Sequence, residues 1–151
     1  MSTGIGRRRI IVTVVATLLI SSLATHARAE GRCSNASLHG SYAFQVDGNG
    51  NGPFAAVGRN TYDGKGVIGG AIVVSLNGAI ISDTYTGTYT VNDDCTGIKS
   101  ATLDKAGLTV NFYFVVDSNL RELRMIVTNP GFTVSGTARK LFTDTDRERK
   151  E

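Results

Sequence analysis

The sequence predicts an all-β protein, an eight-stranded antiparallel up-and-down barrel, and three observations carry that expectation. From residue 38 onward apolar side chains recur at every second position, the period of a strand. Turn signals built from Gly, Asn, Asp and Pro interrupt the pattern at short intervals. No stretch in this region shows the three-to-four-residue period of an amphipathic helix. Consecutive strands joined by such short connections must run antiparallel. An open sheet of this size leaves two unpaired edges, which disappear if it curls until the first and last strands meet. A two-sheet β-sandwich is the alternative that the same pattern allows.

Each strand has its own justification. In the first, residues 38–46, Leu38, Tyr42, Phe44 and Val46 share one face, and the run from Asp47 to Gly52 is expected to break it. The second, about 54–62, ends at Asp63-Gly64-Lys65-Gly66. The third, 67–76, meets Asn77-Gly78, a strong two-residue hairpin signal because both central residues of that turn need positive φ. The fourth, 79–91, is rich in Thr and Tyr and ends at Asn92-Asp93-Asp94-Cys95-Thr96-Gly97. Shorter strands at 98–103 and 108–116 flank Asp104-Lys105-Ala106-Gly107. Asp117-Ser118-Asn119 leads into 120–128, and Asn129-Pro130-Gly131 into 132–141. The sixth strand carries the apolar row Leu108, Val110, Phe112, Phe114 and Val116, and the seventh carries Leu123, Met125 and Val127. With these rows inside, the lumen either fills itself or admits one small ligand. Interior glycines such as Gly58, Gly70, Gly87 and Gly136 suit the sharp coiling that closure demands.

Charge divides the chain into regions. The whole sequence has 16 Lys+Arg against 13 Asp+Glu, a formal +3, which taken alone invites an anionic partner. Arg7, Arg8, Arg9 and Arg28 lie in the first 29 residues, which hold no Asp or Glu. The rest of the chain is close to neutral. Residues 1–29 read as a secretory signal peptide: a basic start, an apolar run from Ile10 to Ala24, and the small-x-small ending Ala27-Arg28-Ala29. That run is too short to cross the ~30 Å apolar core of a bilayer, so no stable membrane anchor is expected. The domain is expected over 30–142, followed by a disordered charged tail over 143–151. The protein is therefore expected to be exported, to the periplasm or outside the cell.

Export decides how Cys33 and Cys95 are read. An oxidising compartment favours pairing them in a disulfide. A metal site needs more ligands than two distant Cys and one His supply, and a nucleophilic thiol needs a base, for which only His39 is available. No cofactor and no metal is expected. Asp47-Gly48-Asn49-Gly50-Asn51-Gly52 matches the first half of a calcium loop, but Gly58 stands where the bidentate acid belongs, so a hairpin loop is the simpler reading. Asp63, Asp83, Asp104 and Asp117 nearly all sit at turn boundaries, where Asp binds turn backbone. Basic residues do not cluster with aromatics, so nucleic-acid binding is disfavoured. No catalytic motif is found. The side chains that could meet a ligand are Tyr85, Tyr89 and Tyr113, with Glu122 and Arg124 as a charged pair. Thr and Tyr are equally explained as good strand formers, and Glu122 as an exposed ion pair with its arginine neighbours.

The segment Gly87-Thr88-Tyr89-Thr90-Val91-Asn92-Asp93-Asp94-Cys95-Thr96-Gly97 resembles a group of small secreted bacterial proteins of unassigned function. Leu38-x-Gly40-x-Tyr42-x-Phe44, Tyr62-Asp63-Gly64-x-Gly66 and Gly131 to Gly136 with Arg139-Lys140 are similar marks, covering most of 33–140. That resemblance brings no catalytic residues. By strand count and glycine placement alone the architecture is similar to calycin-type and allene-oxide-cyclase-type barrels, which implies nothing about function. The expectation is an exported, non-catalytic barrel that binds a small apolar ligand or an envelope component. A barrel cyclase or isomerase, and a structural or adhesive surface protein, are the alternatives. A cavity of roughly 300 Å³ or more in the lumen would separate the first two from the last.

Overall fold

The structure is a computed structural model and describes residues 33–141; the expected signal peptide and charged tail lie outside the described residues. Eight strands follow a short 3-10 turn at Asn35–Ser37: β1 His39–Gly50, β2 Pro53–Asp63, β3 Val67–Leu76, β4 Ala79–Val91, β5 Thr96–Leu103, β6 Thr109–Val116, β7 Glu122–Val127 and β8 Phe132–Lys140. Each pairs antiparallel with its sequence neighbours, and β8 returns to β1 to close the barrel. Closure runs from Tyr42 opposite Lys140 to Gly50 opposite Phe132, so neither strand presents a free edge over that length. Among the described residues no helix is long and apolar enough to cross a membrane.

The expected alternation holds. Tyr42, Phe44 and Val46 of β1, Phe114 and Val116 of β6, and Leu123, Met125 and Val127 of β7 are buried, and the residues between them face out. At Asn77-Gly78 φ is 51° and 83°, the positive pair that the hairpin requires.

Three strands depart from the expected bounds by two residues or more; β5 begins at Thr96, because Thr96 and Gly97, expected in the turn, pair with Val115 and Phe114 of β6. β1 runs on through Asp47, Gly48 and Asn49, which pair with both β2 and β8, to Gly50, which pairs with Phe132 of β8. Gly48 adopts a φ of 151° with the β8 backbone at Thr133 against its Cα, a close approach that a Cβ would block. β7 begins at Glu122 and not at residue 120, because Leu120 takes a left-handed φ of 59°. Asp117 enforces that turn: its Oδ1 accepts the amides of Arg121 at 2.8 Å and Glu122 at 3.0 Å.

Inside the barrel, bulky rings lie across from glycines. Phe44 pairs with Gly58, Tyr85 with Gly70, and Phe114 with Gly97. A Cβ at Gly58 would fall 2.6 Å from the Phe44 ring, and one at Gly70 would fall 2.7 Å from Cζ of Tyr85. The missing Cβ gives each ring its place on the inner wall.

The two ends of the barrel differ. The turns β2–β3, β4–β5 and β6–β7 share one end with both ends of the described chain, and that end is plugged. The 3-10 turn and Leu38 cover it: Asn35 Oδ1 accepts the amide of Val91 at 2.8 Å, and Leu38 is fully buried. The Cys33–Cys95 disulfide ties this plug to the β4–β5 turn, closing a sequence separation of 62. Beneath it Tyr62 packs edge-to-face with Tyr42 at 5.3 Å and with Tyr89 at 5.0 Å between ring centroids. Such pairs add ~0.5–1.5 kcal/mol each beyond their buried area. The bridge is compatible with an exported protein.

The mass of the native protein should rise by two hydrogens on full reduction, and reduction or Cys33→Ala/Cys95→Ala should lower unfolding free energy by on the order of 2–4 kcal/mol. Free thiols in the native protein, by a thiol-reactive label, would contradict the bridge.

Candidate functional site

The other end of the barrel is open. Its rim is formed by the β1–β2, β3–β4, β5–β6 and β7–β8 turns, with exposed Ile81 and Leu108 at the edge. A cavity of about 300 Å³ descends from this mouth into the lumen. Its walls are Val46 and Phe54 from β1 and β2, Ile72 and Val74 from β3, Ala101 and Leu103 from β5, Val110 and Phe112 from β6, Val127 from β7 and Val134 from β8. These are the inward positions of the strands, so the apolar wall follows directly from the alternation.

The floor, where the cavity meets the tyrosine plug, carries the polar groups. Tyr85 donates its hydroxyl to Oδ1 of Asn60 and lies 3.3 Å from the Arg59 carbonyl, and Asn60 Nδ2 lies 3.5 Å from the Tyr62 hydroxyl. Burial pushes the Tyr85 and Tyr62 hydroxyls up, so both stay protonated; Tyr85 donates to Asn60, while the Tyr62 oxygen accepts from Asn60 Nδ2. Tyr42, at the plugged end, is raised to about 12 by burial and gives its proton to the Leu120 carbonyl at 3.1 Å.

Lys99 stands on the same floor and is 6% exposed. Its Nζ lies 3.4 Å from Sδ of Met125, 4.3 Å from the centre of the Phe112 ring and 5.9 Å from that of Phe44. Cation–π and sulfur contacts are weak substitutes for water around an ammonium group. Among the described residues the ion pairs are Glu122 with Arg124 and with Arg139, so Lys99 has no carboxylate partner. Burial lowers its pKa from 10.5 to about 7. The other acid on the cavity, Asp83, is committed to the mouth. Its carboxylate accepts the amides of Thr84, Lys105 and Ala106. Desolvation pushes its pKa up, but those amides outweigh it and hold the group below its usual range.

Of the residues expected at a ligand site, only Tyr85 lines the cavity. Tyr89 is buried in the plug, within hydrogen-bond reach of the Leu38 carbonyl at 3.0 Å and the Asn35 carbonyl at 3.1 Å. Tyr113 faces outward, 41% exposed, between Ile98 of β5 and Ile126 of β7. Glu122 and Arg124 also lie outside the cavity. Glu122 Oε2 meets Nε of Arg139 across the β7–β8 pair at 2.8 Å, and Oε1 meets Nε of Arg124 at 3.4 Å. His39 is exposed at the start of β1. Asp63 caps the β2–β3 turn, its Oδ1 accepting the amides of Lys65, Gly66 and Val67. In the Asp47–Gly52 run, Asn49 Oδ1 accepts the Gly52 amide at 3.3 Å, as a hairpin loop would have it. Among the described residues no three His, Cys, Asp or Glu side chains stand together as a metal site.

Sequence reasoning missed Lys99 and Asn60. Asn60 shares a strand face with Tyr62, two residues on, and that signal was readable. Lys99 was hidden because Ile98 is the more apolar neighbour, yet Ile98 faces solvent at 60% exposure. The register of Gly97, Lys99, Ala101 and Leu103 as one inward row is the signal that identifies it.

Fold and site together define a closed β-barrel with a plugged end, an open end, and an apolar cavity over a polar floor. Comparison with models of known protein families, with curated proteins and with solved structures finds no match in any of the three.

The buried, unpaired ammonium gives a stability prediction. Unfolded, Lys99 keeps its proton up to about pH 10.5; folded, it loses it near pH 7. Between these values the unfolded chain binds more protons, so this residue makes stability rise with pH, whereas below pH 7 it adds no slope. Lys99→Met should therefore stabilise the protein by ~1–4 kcal/mol at pH 6, with a gain that shrinks towards pH 10. Denaturant unfolding at the two pH values checks this; a variant less stable at pH 6 would contradict it.

Proposed function

We propose that this is an exported, non-catalytic binding protein that holds a small apolar ligand in the barrel lumen. The observation that carries the reading is the cavity of about 300 Å³, walled by aliphatic and aromatic side chains and open at one end. Ligand sites are concave, mostly apolar and furnished with few polar groups, and a volume near 300 Å³ is at the lower end of their range. The tyrosine plug closes the far end of the lumen, and the cavity lies between it and the mouth. An apolar lumen of this width gives its wall fewer protein contacts than a packed core would, and an apolar ligand supplies such contacts. The disulfide and the basic, apolar start of the chain support export.

Two measurements test the reading. Native mass spectrometry of protein purified from its own host should show a non-covalent adduct. The uncharged fluorophore N-phenyl-naphthylamine should bind the purified protein, and Ala101→Phe, which fills the lumen from β5, should weaken that binding by about tenfold or more, worth ~1.4 kcal/mol. No dye binding, or binding unchanged in the variant, would place the apolar site elsewhere and sink the proposal.

A further inference from the structure

Lys99 narrows the ligand class. This inference rests on the lumen-binding reading above and extends it. We propose that the ligand is an amphiphile with an anionic head, a carboxylate on an apolar body, and that it enters head first so that the head meets the Nζ of Lys99 on the cavity floor. The argument is geometric. The cavity has one mouth and one floor; walls of aliphatic and phenylalanine side chains separate them, and the polar atoms of Lys99, Tyr85 and Asn60 are gathered at the bottom. A wholly apolar ligand would leave the ammonium against sulfur and ring faces, as it is now. A carboxylate supplies what the protein itself withholds, since the glutamate nearest in kind, Glu122, is engaged outside by Arg124 and Arg139 and Asp83 is held by the β5–β6 turn. A charge-assisted hydrogen bond in a dry site is far stronger than in water.

The charge state follows. In the empty protein burial holds Lys99 near pKa 7, and an anionic partner raises it, so binding above pH 7 takes up a proton. The titratable groups near this ammonium are Tyr85 and Asp83 of β4, which line the cavity, and Tyr62 of β2 and Tyr89 of β4 in the plug; the tyrosines are raised by burial and Asp83 is held low by turn amides. None of these changes charge between pH 6 and 9, so proton uptake in that window belongs to Lys99.

The test compares octanoate with octanol, the same chain with a charged and a neutral head, by isothermal titration calorimetry of the whole protein. At pH 6 octanoate should bind at least about tenfold more tightly than octanol, and its affinity should fall as pH rises from 7 to 9. At pH 8 the measured heat should depend on the ionisation enthalpy of the buffer in the sense of proton uptake. In Lys99→Met, octanoate should lose its advantage and octanol should bind as well as before or better. Equal or tighter binding of octanol by the unaltered protein overturns the inference while leaving the apolar lumen site standing. Failure of both probes to bind counts against the lumen site itself. The first comparison needs no variant, so it stands even if Lys99→Met does not fold.

Discussion

Closure of the sheet is the constraint on which the rest depends. Once β8 pairs with β1, the circumference is set by eight strands, and the interior is only a few side chains wide. Every inward residue then competes for the same volume. The glycine–aromatic pairs are one solution: Phe44, Tyr85 and Phe114 each lie over a strand neighbour that has no side chain. A closed barrel of this width that placed a large residue at each inward position would be overpacked, and one that placed only small residues would be hollow throughout. This chain does neither. It gathers its buried tyrosines towards one end and leaves aliphatic and phenylalanine side chains towards the other.

That asymmetry explains the polar interior. The plug holds its tyrosines by donating their hydroxyls to backbone carbonyls of Leu120, Leu38 and Asn35, so burial there is accompanied by hydrogen bonds. Asn60 extends the same network to the floor through Tyr85 and Tyr62. Lys99 is the member of the interior that no such network satisfies. Its long methylene stem belongs among apolar neighbours, but its head lies at the bottom of the cavity against a sulfur and ring faces, and among the described residues no carboxylate stands beside it. A group that costs stability at this depth is the feature of the lumen least well explained by folding alone.

Much of the fold was legible because a strand's period is two and its turns have chemical signatures. Asn77-Gly78 and the Asp63 and Asp117 turns could be read residue by residue. The errors have the same physical origin: alternation specifies two faces and not which one is inside. In β6 the row Phe112, Phe114 and Val116 was plainly the inner one, which already turned Tyr113 outward, yet its hydroxyl counted among candidate ligand contacts. In β5 both rows are mixed, with Ile98 on one and Lys99 on the other, and only pairing with Phe112 and Tyr89 decides between them. The bounds of β1 and β7 were misjudged because Gly48 can pair where its sequence suggests a turn, and Leu120 can turn where its side chain suggests a strand. The cavity itself is a three-dimensional remainder, the volume left after rings, glycines and plug have been placed, and it has no local sequence signature.

An even number of strands returns the chain to the side from which it set out. Cys33 and Leu141 both stand at the plugged end, where the Leu141 amide bonds the Ser41 carbonyl at 2.9 Å, while the mouth points the opposite way. A tether joined next to Cys33 or Leu141 would therefore leave from the base of the vessel. Anchored to a support in this way, the barrel would hold its opening outward, away from the support.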